Sequence, residues 1–354
     1  MYIRNTESWA TERVKTVPKN DQKEILNYEN AKTSVMNEAE QEIVIWSENL
    51  TKRFGHESAV IDVNLAIPKG SIFGFIGPSG CGKTTTVRLL TGVYKPTAGQ
   101  AKVLGTRPED FTRSDRERLG YLVQQFILYP DLTVLENLNF AASLYGVGLQ
   151  RKTRLMELLE FVELEEHRKK LVRNLSSGMQ RRLSLASTLV HDPEILFLDE
   201  PTAGIDPILR RKFWDYFAEL QNEGRTLFIT TQYVGEAAYC DLVGVMMQGR
   251  LLLVDTPAGL RRRAYGGDVI LLRTLDPIDH DQAEAFDGLD QIQARIIQRS
   301  DHELRIVVNE AGVALPVLIQ CCNRQDLQIE AIEEYLPPFD DVFVKLIEEQ
   351  AVHE

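Results

Sequence analysis

SIFGFIGPSGCGKTTTVRLL, residues 71–90, reads as a buried strand, a glycine-rich turn and a helix in direct succession. Its centre, Gly77 to Thr84, fits the pattern GxxxxGK[ST]. Such a turn aims backbone N–H groups inward, and the helix behind it adds partial positive charge, so polyphosphate oxygens are held largely by main chain. The cradle predicted here comprises Gly77, Pro78, Ser79, Gly80, Cys81, Gly82, Lys83, Thr84 and Thr85. Lys83 is placed to reach the outer phosphates, and the Thr84 hydroxyl to face Mg2+, which prefers oxygen ligands.

More than 100 residues later the apolar run Ile195 to Leu198 ends in Asp199 and Glu200. Two carboxylates closing a hydrophobic strand suit a metal and a reacting water better than packing, because a buried carboxylate without a cation is costly. Asp199 is the expected Mg2+ partner, and Glu200 the group that polarises the attacking water.

Around these two stretches, strand-like runs (Ile43 to Trp46, Gly120 to Val123, Thr226 to Thr230, Leu242 to Met247) alternate with helical patterns, which predicts an α/β core with a largely parallel sheet. A helical stretch interrupts that order, with Leu132, Leu135, Leu138, Ala142 and Tyr145 at helical spacing, then Leu155, Leu158, Leu159 and Val162. From residue 265 short strands (Val269 to Arg273, Ala294 to Gln298, Glu303 to Val308, Leu327 to Ile332) and a closing helix from Phe339 predict a small α+β domain. Residues 1–42 carry no sustained period and read as a flexible extension, with a short helix at Gln22 to Tyr28 as an option. The predicted division is therefore 1–42, 43–264 and 265–354.

Composition narrows the classes. Of 354 residues 44% are apolar and 26% charged, as in ordinary globular proteins. No apolar run approaches the ~20 residues of a membrane helix, and the start lacks a secretory signal pattern, so cytoplasmic residence is expected. Cys81, Cys240, Cys321 and Cys322 show no metal spacing and are expected as reduced thiols. With 40 Lys plus Arg against 52 Asp plus Glu, the net charge of -12 argues against a nucleic-acid partner.

NLSSGMQRRL, residues 174–183, resembles the signature motif of ABC ATPases, and it precedes HDPEILFLDEPTAGIDP, residues 191–207, at that family's spacing. Further matches are a glutamine loop at Gln124 in GYLVQQFILYPDLTVLENL, a D-loop reaching Asp206, and Phe54 in LTKRFG as an aromatic to stack on adenine. The resemblance runs from about residue 43 to 260. It implies a P-loop NTPase core, an antiparallel β-subdomain and a helical subdomain that carries the signature. Ser176, Ser177, Gly178 and Met179 sit where a helix begins and form a second anion site. In the family that site closes over the nucleotide bound by another subunit. The resemblance thus implies ATP and Mg2+ as ligands, with Gln124 at the metal, and a homodimer or heterodimer of ATPase subunits. It also implies a separate transmembrane permease, docked at the cytoplasmic face of the membrane.

Two positions depart from the family pattern. Ser177 stands where the signature has its second glycine and is followed by Met179 after Gly178, a variation that resembles export-type members. Gln232, in FITTQYVGEA (residues 228–237), stands at the switch position usually held by histidine. Glutamine can donate to a γ-phosphate but cannot exchange a proton near pH 7. The leading expectation is an export-type transporter ATPase with Glu200 and Gln232 as its catalytic pair. The alternatives are a soluble ABC-type ATPase acting in DNA repair or on the ribosome, and a slow ATP-gated switch subunit.

Overall fold

The computed structural model describes residues 42–123, 128–148 and 151–353. Two long strands, β1 (Ile43–Phe54) and β2 (Glu57–Pro68), are followed by the short β3 (Ile72–Ile76), which is buried at all five positions. Helix α1 (Lys83–Leu90) and β4 (Ala98–Val103) come next, then α2 (Arg113–Glu117) and β5 (Leu119–Leu122). Three helices make the insertion: α3 (Val134–Leu144), α4 (Lys152–Phe161) and α5 (Ser177–Leu189). The core then resumes with β6 (Ile195–Asp199), α6 (Pro207–Asn222), β7 (Thr226–Thr231), β8 (Leu242–Met247), β9 (Arg250–Asp255) and α7 (Pro257–Tyr265). The remainder is β10 (Asp268–Thr274), α8 (His280–Glu284), β11 (Arg295–Arg299), β12 (Glu303–Val308), α9 (Ala311–Arg324), β13 (Ile329–Tyr335) and α10 (Phe339–His353).

Three sheets result. The largest has the order β5-β6-β7-β3-β8-β9, parallel except for the β9 edge. Its central strands are buried on both faces, which is why they read as unbroken apolar runs rather than alternating ones. The second is antiparallel, β2-β1-β4. It packs on one side of the large sheet through Phe73, Phe75, Phe197 and Phe228. Each fully buried side chain of this size contributes about 1.5–3 kcal/mol. The helical insertion covers the other side, where Leu138, Leu155, Leu159, Leu183 and Leu189 share a core with Ile72, Leu196 and Leu227.

The third sheet, β11-β12-β10-β13, has its own core with α9. Helix α10 does not stay with that sheet. Phe339, Val342 and Leu346 join the core beneath the large sheet, and the Arg261 guanidinium lies 4.3 Å from the centre of the Phe339 ring. Among the described residues no helix is long and apolar enough to cross a membrane.

Register places the site. Asp199 pairs with Thr230, and Thr231 pairs with Ile76, so the carboxyl ends of β6, β7 and β3 lie side by side. Ligands of open α/β sheets bind at this edge.

Candidate functional site

The loop leaving β3 turns as tightly as glycine permits. A Cβ on Gly77 would lie 2.2 Å from the Met246 carbonyl oxygen, and one on Gly82, at φ 113°, 2.4 Å from that of Ala59. Neither position accepts a side chain. Lys83 is buried, and its ammonium donates to the carbonyls of Gly77 (2.7 Å) and Pro78 (3.0 Å), which holds the cation inside the loop's curve. Pro78, Ser79 and Gly80 are exposed, so the mouth of the loop is open. Cys81 is buried and its thiol is pushed up by that burial, an inert wall for the loop. Thr85 is half-buried on the first turn of α1, beside Thr84.

Asp199 ends β6 fully buried. One oxygen accepts from the hydroxyls of Thr84 (3.2 Å) and Thr230 (2.5 Å); the other, Oδ2, is buried without a hydrogen-bond partner. A hydroxyl beside a buried carboxylate oxygen that lacks a donor is an all-oxygen set that suits Mg2+ and its water shell. Glu200 follows at φ 53°, a strained conformation for this residue. It is held there by its own N–H, which donates to the Thr230 carbonyl (3.0 Å) and hydroxyl (3.1 Å).

Gln232 reaches the loop from β7: the Ser79 hydroxyl donates to its Oε1 at 3.1 Å. The sequence brings three predicted elements together here, the cradle, the carboxylate pair and the switch glutamine. Phe54 stands 46% exposed, with its ring edge-on to Tyr94 at 5.4 Å and the Lys52 ammonium 5.2 Å from its centre. Such a ring is free to stack on a base.

The signature residues form a separate surface. Ser176 caps α5, accepting from the Met179 N–H at 3.3 Å, and both Ser176 and Ser177 are exposed. Asp206 caps α6, accepting from Leu209 at 3.0 Å. Gly178 lies close enough to the D-loop that an added Cβ would touch the Gly204 carbonyl at 3.7 Å. Gln124 lies outside the described residues, as does the Gln22 to Tyr28 helix.

Sequence reasoning missed Arg181. It is buried on α5, and its guanidinium donates to the carbonyl of Val123 at 3.1 Å and to those of Asp199 and Glu200. Burial pulls its pKa down, opposed by the Asp199 and Glu200 carboxylates. The signature helix is thereby tied to the backbone of the carboxylate pair. A signal existed, because Arg181 falls four residues before buried Leu185, on a face that otherwise packs. Thr230 was missed as well, although two threonines ending the buried run TLFITT are a visible anomaly.

The family description "ABC transporter" matches residues 60–203. The probable multidrug ABC transporter ATP-binding protein YbhF of Escherichia coli (strain K12) is 40% identical over 224 residues, covering 63% of this chain and 39% of that protein. The chain thus spans well under half the length of that relative. The fluoroquinolones export ATP-binding protein MT2762 of Mycobacterium tuberculosis (strain CDC 1551 / Oshkosh) is 40% identical over 294 residues, 80% of this chain and 94% of that protein. Among solved structures, the dimeric post-hydrolysis state of the ATP-binding cassette MJ0796 bound to ADP and Pi superposes with a TM-score of 0.57 at 27% identity. That match covers 60% of this chain and 98% of the cassette. With one relative 40% identical and matched over 94% of its length, the chain belongs to the ATP-binding proteins of ABC transporters.

Proposed function

We propose that this chain is an Mg2+-dependent ATPase subunit whose ATP-driven dimer closure and reopening drive export through a separate membrane permease. The observation that carries the reading is Asp199, buried with one oxygen bonded to Thr84 and the other free of donors, beside a lysine curled inside the loop. In this reading the Lys83 ammonium exchanges its loop carbonyls for phosphate oxygens as ATP enters. Bound Mg2+ supplies charge neutralisation on the outer phosphates, with Thr84 and Asp199 as its protein partners. The Glu200 carboxylate, fixed by its strained backbone, orients the attacking water and draws its proton. Gln232 donates its amide N–H to the γ-phosphoryl group being transferred, without taking up a proton.

In this reading residues 43–264 are the ATPase unit and residues 265–354 an accessory domain. The exposed pair Tyr129 and Phe140, rings 4.6 Å apart on the helical insertion, supports a docking face for a permease helix. The names of two kinds of relative, the fluoroquinolones export and the Nod factor export ATP-binding proteins, support outward transport, and with it a position peripheral to the cytoplasmic face of the membrane.

The test is steady-state ATP hydrolysis with Mg2+, comparing the native chain with Glu200→Gln. Turnover is expected to fall about 100-fold or more with nucleotide uptake retained. Equal turnover in both chains contradicts the assignment. One observation favours a second reading, a slow switch: Gln232 occupies the switch position and is already bonded to Ser79. Gln232→His then raises turnover severalfold and makes it depend on pH between 6 and 8; no gain removes the slow-switch reading.

A further inference from the structure

We propose that Arg210 is a positioning residue that fixes the switch segment carrying Gln232 against the loop that follows Glu200. The inference rests on the hydrolytic reading above. Arg210 lies one turn into α6, its N–H donating to the Asp206 carbonyl at 2.9 Å. Its guanidinium faces three groups from two elements. It lies 4.2 Å from the centre of the Tyr233 ring, donates to the Ile205 carbonyl at 3.4 Å, and brings Nε to 3.7 Å from Glu236 Oε1.

Glu236 is the reason an arginine is needed. Its side chain is 5% exposed, and a carboxylate so enclosed requires a counter-charge and hydrogen bonds. It accepts from the hydroxyl of fully buried Thr202 at 2.7 Å, two residues after Glu200. The link therefore runs from the Glu200 loop through Thr202 to Glu236, on to Arg210, and from its flat face to Tyr233, the immediate neighbour of Gln232. Tyr233 is held from its other side by its own N–H, which donates to the Thr231 hydroxyl at 2.9 Å. A planar cation can stack on the ring and face the carboxylate at once, which a lysine ammonium cannot do. The reach of Gln232 to the phosphate loop is thus set by a residue that touches neither nucleotide nor metal ligands, but sits one turn behind the D-loop.

Arg210→Met is expected to lower kcat about tenfold while KM for ATP stays within about twofold, and Arg210→Lys to recover little of the loss. Arg210→Met also strands the Glu236 carboxylate and lowers the melting temperature. Adding Glu236→Gln restores the melting temperature and leaves kcat low. Gln232→Ala, costly in the native chain, costs less than about twofold more in the Arg210→Met background, as expected of residues acting in series. If kcat returns together with the melting temperature, or if the Gln232 and Arg210 losses add in full, the proposal is overturned. Backbone amide exchange over residues 232–239 separates this from failure of the hydrolytic reading. It quickens about tenfold in Arg210→Met even where turnover is undetectable, and an unchanged rate overturns the proposal.

Discussion

Lys83 is 5% exposed and its ammonium is bonded to two carbonyls of its own loop, whereas Ser176 and Ser177 stand exposed at the start of α5 with a cap bond of 3.3 Å. The first region is closed on one side by Met246 and on the other by the Asp199, Thr84 and Thr230 cluster. The second presents two serines and a half-buried glycine to open space. One is enclosed behind an open mouth and the other stands exposed, the half-site on which the proposed pairing of two copies draws. Arg181 joins them, running from the signature helix to the carbonyls of Asp199 and Glu200.

Severing that joint has the largest expected effect. Arg181→Met removes a donor from three carbonyls, of which that of Glu200 keeps the Ala203 N–H at 3.2 Å, and is expected to cost about 2–4 kcal/mol of stability, read by urea denaturation. It also lowers hydrolysis even where the fold persists. A loss below about 0.5 kcal/mol means that the two regions are not mechanically coupled.

A cut confined to the half-site sharpens the comparison. Ser177→Arg places a bulky cation on the exposed turn and is expected to leave ATP uptake within about twofold while hydrolysis falls about tenfold. Loss of uptake instead would mean that the signature turn serves the pocket of its own chain.

The smallest effect tests the far end of the helical insertion. His191 stacks on Tyr145 at 3.6 Å, its Nε2 lies 3.0 Å from the Leu119 carbonyl, and its Nδ1 is buried without a partner. Burial holds its pKa below the ordinary 6.5, against the opposing pull of the Leu119 carbonyl and then of Asp192 and Glu117. The folded chain therefore favours the neutral ring. Its contribution is present above pH 6.5 and is lost as pH falls and the unfolded state binds the proton first. Between pH 7.5 and 5.5 the melting temperature of the native chain is expected to fall about 1–3 °C more than that of His191→Phe. Parallel curves would show that this histidine is not the titrating group.

Much of this was legible in the sequence, for identifiable reasons. Strand β3 and the loop after it are local: five buried residues and a motif in which Gly77 and Gly82 are demanded by close approaches and Gly80 by its positive φ. The closing helix was visible from Phe339, Val342 and Leu346 at helical spacing, yet nothing in that spacing said it would pack beneath the large sheet rather than with its own domain. The site's supports are non-local. Thr230 meets Asp199 across 31 positions, Arg181 meets it across 18, and Glu236 meets Thr202 across 34. Each pairing exists because strand order brings those ends together, and a polar residue in an apolar run announces that it needs a partner without naming it. The positive φ of Glu200 is likewise a product of the fold around Thr230.

The direct test of the half-site account is the association state of Glu200→Gln on a sizing column. With ATP and Mg2+ the variant is expected to elute at twice the mass of one chain, and to return to the single-chain position when Ser177→Arg is added or ATP is withdrawn. Elution as a single chain with ATP bound would contradict it.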